Sequence, residues 1–356
     1  MKISKYITKT LSVVSLSLLA TASVFAGNEQ RAGQAGAGEL LINPWASSSG
    51  WGLAAASGVR GIEASYLNVA GLARMTTQFE VAGSFTNWFS DIGITNAGIG
   101  FKLNESTTMG FSIMNLNYGD IKRTTVNNPG GTLGTFSPSN TVVGVQYAKQ
   151  FTSSISGGVN FKIVSESTPE LTATGVAVDV GVQYFSGENE EIKFGIVLKN
   201  IGTPMSYSGD GDDVKITNQG SNGEEFDQTY EYRASTFELP TQMLISGSYD
   251  FLLEGENRVT PSLAFASNSF SNDRFSVGVE YGYKSMLKVH AAYDFESNIF
   301  KAYDNGRETA LTGLAAGFEF AWPYGPAGDK EISISYSFRA ADPLSSPHAF
   351  GINLKL

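Results

Sequence analysis

The stretch Thr172-Ala173-Thr174-Gly175-Val176-Ala177-Val178-Asp179-Val180-Gly181-Val182-Gln183-Tyr184 decides the fold. Val176, Val178, Val180, Val182 and Tyr184 share one parity, and Ala177, Asp179, Gly181 and Gln183 share the other. Successive side chains of an extended chain point to opposite faces, so this is a strand with one apolar face and one small or polar face. The same alternation recurs outward from it. Ile155, Val159, Phe161 and Ile163 oppose Ser156, Gly158, Asn160 and Lys162. Ile332, Ile334, Tyr336 and Phe338 oppose Ser333, Ser335, Ser337 and Arg339. Leu287, Val289, Ala291, Tyr293 and Phe295 oppose Lys288, His290, Ala292 and Asp294, and the final strand repeats the pattern with Phe350, Ile352, Leu354 and Leu356.

Such strands belong either to a soluble sandwich or propeller, or to a transmembrane barrel whose apolar face meets lipid. Length, aromatic placement and loop rhythm favour the barrel. Most of the strands reach the roughly 9–11 residues that cross a bilayer at a tilt, against about 5 or 6 in soluble sheets. Trp88, Tyr147, Tyr184, Tyr249, Tyr281, Tyr283, Phe320 and Trp322 fall near strand ends, where an interfacial girdle is expected. The predicted strands are 78–88, 93–103, 106–125, 140–151, 155–165, 172–184, 191–201, 241–251, 258–268, 273–283, 286–296, 310–322, 330–339 and 348–356. Short turns at 104–105, 152–154 and 284–285 belong to one rim, and long connections at 126–139, 202–240, 297–309 and 340–347 to the other. The expected fold class is all-β, a 14-stranded antiparallel transmembrane β-barrel with an N-terminal plug or hatch, with short turns on the periplasmic side. The third strand protrudes well beyond the membrane if it is continuous; splitting it near Tyr118-Gly119 would make the count odd.

Composition removes other classes. With no cysteine, neither disulfides nor cysteine-ligated metal centres are available. Two histidines, His290 and His348, are too few for a histidine-built metal site, and a net charge of −10 argues against nucleic acid as a partner. No window of apolar residues after Gly27 is long enough for a transmembrane helix. Residues 1–26 read as a signal peptide: Lys2, Lys5 and Lys9, an apolar core over 11–22, then Val24-Phe25-Ala26 before Gly27. Its removal takes three lysines and no acid, leaving an exported chain at −13. Residues 27–77, rich in glycine and alanine, do not alternate. Such a segment either lies outside the barrel or folds into the lumen as a plug, and its small residues favour the lumen. The barrel then occupies 78–356.

Within that segment, 58–74 contains Asn68-Val69-Ala70-Gly71-Leu72, which resembles the N-P-A-G-L hatch signature of FadL-like outer-membrane proteins with Asn68, Ala70, Gly71 and Leu72 in place and Val69 for the proline. Lys199-Asn200-Ile201-Gly202-Thr203-Pro204, then Leu239-Pro240-Thr241-Gln242, and Tyr336-Ser337-Phe338-Arg339 before His348-Ala349-Phe350-Gly351 resemble the PorV/PorQ branch of that superfamily in Bacteroidota. Asn200, Gly202 and Pro204 are the strand-end motif of that likeness. It implies an outer-membrane protein, surrounded by lipid, that binds the type IX translocon barrel or the C-terminal domains of secreted cargo. The FadL side of the likeness implies instead a transporter of long-chain fatty acids or other hydrophobic ligands. No cofactor is implied by either.

The connection 202–240 holds eight acids against Lys215 and Arg233, together with Tyr207, Phe226, Tyr230, Tyr232 and Phe237. Aromatics among charges suit a partner-binding loop, and equally a solvated lid over the barrel mouth. Asp210-Gly211-Asp212-Asp213 lacks the spacing and closing glutamate of a calcium loop, so no metal is assigned. Catalysis is not expected either. His290 reads as lumen-facing and His348 as outward-facing, neither within a nucleophile pattern. Asp179, Lys162, Lys288, Asp294 and Arg339 read as a polar lumen, and Pro261 as a point where one ladder donor is missing.

Overall fold

The computed structural model describes residues 29–90, 92–303, 307, 309–325 and 330–356; the signal-peptide reading of 1–26 lies outside them. Fourteen antiparallel strands form one closed sheet: β1 (Phe79–Asn87), β2 (Gly93–Asn104), β3 (Thr107–Asn117), β4 (Ser139–Gln150), β5 (Ile155–Ser167), β6 (Thr172–Ser186), β7 (Ile192–Gly202), β8 (Gln242–Tyr249), β9 (Asn257–Asn268), β10 (Arg274–Tyr283), β11 (Leu287–Glu296), β12 (Leu311–Tyr324), β13 (Lys330–Ala341) and β14 (His348–Lys355). Each pairs with its sequence neighbours, and β1 closes on β14 from Glu80↔Lys355 to Asn87↔His348. Closure leaves no unpaired edge, which is what a sheet in hydrocarbon requires. We call the rim holding the short turns the turn rim and the other the loop rim.

Alternation sorts the residues as the opening stretch predicts. Along β6, Val176, Val180, Val182 and Tyr184 are exposed on the outer face, while Ala173, Ala177, Asp179 and Gln183 are buried in the lumen. The exposed outer face is apolar around the sheet, for example Phe161, Ile196, Leu263, Val277, Ile334 and Phe350, the surface that a lipid environment favours. Tyr147, Tyr184, Tyr249, Tyr281, Tyr283 and Trp322 stand exposed near the turn rim as a girdle. Trp88 departs from that group. It is half-buried at the loop rim, packed on the cluster of Leu40, Ile94, Leu116 and Met205.

Two strand irregularities have identifiable causes. β3 stops at Asn117, where Gly119 takes φ +76° and the Asn117 side chain accepts from its N–H at 2.7 Å. The chain beyond makes only the small hairpin Ile121–Lys122 with Thr135–Phe136, outside the barrel sheet, so the split leaves the even count intact. Pairing of β8 with β9 lapses at Tyr249 and Asp250 and resumes unshifted at Phe251↔Val259. The lapse faces Pro261, which has no N–H to give, and β9 itself runs on unbroken.

Residues 29–78 run through the lumen. They start at the loop rim, where Arg31 pairs with Glu238 at 3.0 Å, and leave at the turn rim into β1. The strands begin and end on the turn rim, whereas the described chain begins on the other. The helical pieces of this luminal segment are short, of one or two turns: 3-10 at Glu29–Arg31, Gly38–Leu41, Gly52–Ser57 and Val69–Arg74 and α at Ala46–Ser49 and Ala64–Leu67. Trp45, Ile62, Leu67, Val69 and Leu72 are at most 1 % exposed within it. Glycines on the inner wall make room: a Cβ on Gly158 would lie 2.8 Å from the Val69 carbonyl oxygen, and one on Gly181 would lie 2.2 Å from Asn68 Oδ1.

Many of the inward charges compensate one another, whereas the buried Lys199 Nζ has no hydrogen-bond partner among the described residues and stands 3.4 Å from the Tyr66 ring centroid. Lys162 Nζ lies 2.6 Å from Asp179, Lys193 Nζ 2.6 Å from Asp250, Arg258 Nη2 2.6 Å from Glu280, and Lys288 Nζ 3.0 Å from Glu319. Arg339 reaches Asp294 at 3.6 Å. Pairing of this kind offsets the cost of burying an ion.

Candidate functional site

The hatch-like residues sit in mid-lumen. Asn68 is fully buried with an extended backbone; its Oδ1 accepts from the Ala70 N–H at 3.2 Å and its Nδ2 donates to the Val182 carbonyl on β6 at 3.1 Å. It thus starts the 3-10 turn Val69–Arg74 and fastens that turn to the wall. Ala70 and Leu72 are fully buried. Gly71 is required by close approach, since a Cβ there would stand 2.1 Å from the Val59 carbonyl oxygen. At the end of the turn Arg74 donates to Ser156 Oγ at 3.2 Å, to the Ser154 carbonyl at 2.8 Å and to Glu190 at 3.1 Å, with its guanidinium over the Phe185 ring. Burial lowers the Arg74 pKa and Glu190 opposes that shift.

Above this turn two cavities lie one over the other. The outer one, about 430 Å³, opens between the connections of the loop rim, with Ile42, Trp88, Ile92, Leu116 and Ile121 among its apolar walls. At its base are Glu39, Asn140, Glu166 and Tyr207. The inner one, about 50 Å³, reaches Trp45, Tyr66, Asn160, Lys162 and Asp179. Glu39 lines both. A space of about 50 Å³ admits water but not a drug-sized molecule, whereas pockets of about 300–1,000 Å³ hold one. The way down is therefore shut at the luminal segment.

The two acids at the base are held differently. Glu166 Oε1 accepts from the Ala37 N–H at 3.0 Å, and Oε2 accepts from the Tyr207 hydroxyl. Glu39 is 4 % exposed; Asn140 Nδ2 donates to its Oε2 at 3.0 Å, and its Oε1 has no hydrogen-bond partner among the described residues. Burial, reinforced by the charge of Glu166, pushes the Glu39 carboxyl up to about 7. Burial and the bond to Glu166 likewise raise Tyr207 above its ordinary range.

The five aromatics of 202–240 divide. Phe226, Tyr230 and Tyr232 are 46–65 % exposed, the first two on a projecting hairpin, Asp213–Gln219 with Glu225–Glu231, which pairs only with itself. Tyr207 and Phe237 instead pack on each other beneath it, with ring centroids 5.7 Å apart, Phe237 lying over Gly36 of the luminal segment. The strand-end motif is a clasp. Asn200, at φ +60° and fully buried, forms a bulge against β6. Its N–H donates to Asp179 at 2.7 Å, its Oδ1 accepts from Lys162 at 2.5 Å, and its Nδ2 donates to the Pro240 carbonyl at 2.9 Å. Gly202 passes so close to Val176 that a Cβ would lie 2.1 Å from its carbonyl oxygen, while Pro204 is exposed.

The two histidines lie apart. His290 is buried in the lumen against Trp51, centroids 6.0 Å apart, and neither ring nitrogen has a hydrogen-bond partner among the described residues. His348 Nδ1 pairs with the outward Tyr336 hydroxyl at 2.8 Å.

No family model matches the sequence, and no curated protein matches it by sequence. Solved structures do. A structure titled CymD monoaromatic hydrocarbon channel matches with a TM-score of 0.55 at 13 % identity, covering 88 % of this chain and 97 % of its own. The Pseudomonas putida toluene transporter TodX gives 0.49 at 12 % identity, covering 93 % and 97 %. A Pseudomonas aeruginosa FadL homologue gives 0.48 at 10 %, covering 86 % and 97 %. The likeness to the first of these is one of fold, a closed antiparallel barrel, and neither a family model nor a sequence relative supports PorV/PorQ membership in particular.

Proposed function

We propose that this chain is a non-catalytic outer-membrane conduit for small hydrophobic molecules, with the luminal segment as its plug and Asn68, Ala70, Gly71 and Leu72 as the part that must move. The observation that carries this reading is the apolar outer cavity of about 430 Å³ narrowing onto a pocket of about 50 Å³ above those residues. The hydrocarbon channel to which the fold is similar supports the same class of cargo. The test is uptake of labelled octanol by cells with an intact outer membrane. Leu116→Trp fills the outer cavity and is expected to abolish the uptake that the wild-type chain adds, while the barrel still assembles. Undiminished uptake by that variant overturns the reading.

A second reading, protein binding in type IX secretion, is favoured by Phe226, Tyr230 and Tyr232 standing exposed among acids. Replacing residues 209–235 with a short glycine-serine linker would then end recovery of a translocon barrel or of secreted C-terminal domains. Unchanged recovery overturns it.

A further inference from the structure

The base of the outer cavity presents hydrogen-bond acceptors and no cation. Glu39 Oε1 is buried and unpartnered, Glu166 is already engaged by Ala37 and Tyr207, and neither lysine nor arginine lines the cavity among the described residues. Lys162, the cation lining the inner pocket, is engaged by Asp179 and Asn200. A buried acceptor lacking a partner favours an incoming donor, because the bond removes an unsatisfied desolvated group. Above about pH 7, where Glu39 is charged, a carboxylate ligand would instead set a third negative charge beside two in a medium of low dielectric.

We propose that Glu39, with Glu166 beside it, makes the outer cavity selective for hydrophobic molecules ending in a hydrogen-bond donor, an amine, alcohol or phenol, and turns away free carboxylic acids. This rests on the conduit reading. Ile42, Trp88, Leu116 and Ile121 hold the hydrocarbon, and Glu39 Oε1 accepts from the head. A site built to bond a donor discriminates strongly against a ligand without one, since its own polar group is then left unpaired.

The experiment uses the full chain in nanodiscs of zwitterionic lipid and three probes with the same eight-carbon tail: octylamine, octanol and octanoate. Calorimetry at about pH 8, where Glu39 is charged, is expected to rank octylamine and octanol ahead of octanoate by about tenfold or more. Glu39→Gln removes the charge at nearly constant shape and narrows the gap between octylamine and octanoate. The wild-type series alone tests the idea should that variant fail to assemble. Equal affinity for all three probes, abolished by Leu116→Trp, overturns head selection and leaves the conduit standing. Binding that Leu116→Trp does not change, or no saturable binding, overturns both.

Discussion

A Cβ added at Gly181 would stand 2.2 Å from Asn68 Oδ1 and 3.3 Å from Asn68 Cγ, with the nearest atom outside that side chain, the Ala70 nitrogen, at 3.5 Å. Gly181→Ala therefore acts as a wedge on one side chain. Displacing that side chain breaks two bonds, to Ala70 and to Val182, and leaves the Ala70 N–H buried without an acceptor. Two bonds at about 0.5–1.5 kcal/mol each plus about 1–3 kcal/mol for an orphaned donor put the local cost at about 2–4 kcal/mol after overlap. Asn68→Ala removes the same bonds and costs a similar amount. The double variant should cost no more than Asn68→Ala alone, because the wedge then meets empty space; the coupling is about 2–4 kcal/mol. Hydrogen exchange of the amides in 61–74 reads this locally. At about 1.4 kcal/mol per decade, each single variant should exchange about 30- to 1,000-fold faster there, with the β10 and β11 amides unchanged. Additive costs, or unchanged exchange in both single variants, would refute the assignment of Asn68 as the fastener of the luminal segment.

Arg74→Ala should free the lower end of the segment from Ser154, Ser156 and Glu190, and is expected to raise ion conductance in planar bilayers over the wild-type level. Asp250→Ala strands Lys193 Nζ, now 2.6 Å from its carboxylate, and should lower stability to urea by about 3–5 kcal/mol, whereas replacing both residues by apolar ones should cost less. Because the Glu39 carboxyl is raised from 4.5 to about 7, its stabilising contribution is complete below 4.5 and is lost as pH rises through about 7. The loss should reach about 3 kcal/mol in hydrogen exchange of residues 38–42 and be absent in Glu39→Gln. Glu166, Tyr118, Tyr207 and Asn140 are the ionisable or polar groups around it, and none supplies a cation to offset the effect.

The barrel was legible because a period of two needs no partner to be recognised: every strand carries its own inside and outside, as Val180 and Asp179 do. The inward charges followed from the same parity, although only their placement on adjacent strands, or with one strand between for Asp294 and Arg339, explains why they are tolerated when buried. What parity leaves open is depth and direction. Trp88 near a strand end reads the same whether it turns to lipid or to a cavity, and the burial of Ile92 and Leu116 beside it decides for the cavity. Glu39 is a lone acid in Gly-Glu-Leu-Leu, a signal visible in the sequence, but its weight comes from its burial, to which Glu166, 127 positions away along the chain, adds. Tyr207 and Phe237 look like Tyr230 until the Asn200 clasp draws the two ends of their connection down onto the luminal segment.

The course of that segment bears on how the molecule is put together. Asn353, on the last strand, donates to Glu80 of the first at 2.7 Å and to Glu63 of the luminal segment at 3.2 Å, bonds that join residues 273 and 290 positions apart. Contacts so distant in sequence form late, after nearer pairings have shortened the effective loop between them. The seam between β14 and β1 is thus also one of the places where the contents of the lumen are tied to its wall. Late closure of that seam would wrap the cylinder around its fifty luminal residues, as staves are drawn round a core, in place of stoppering a finished tube afterwards.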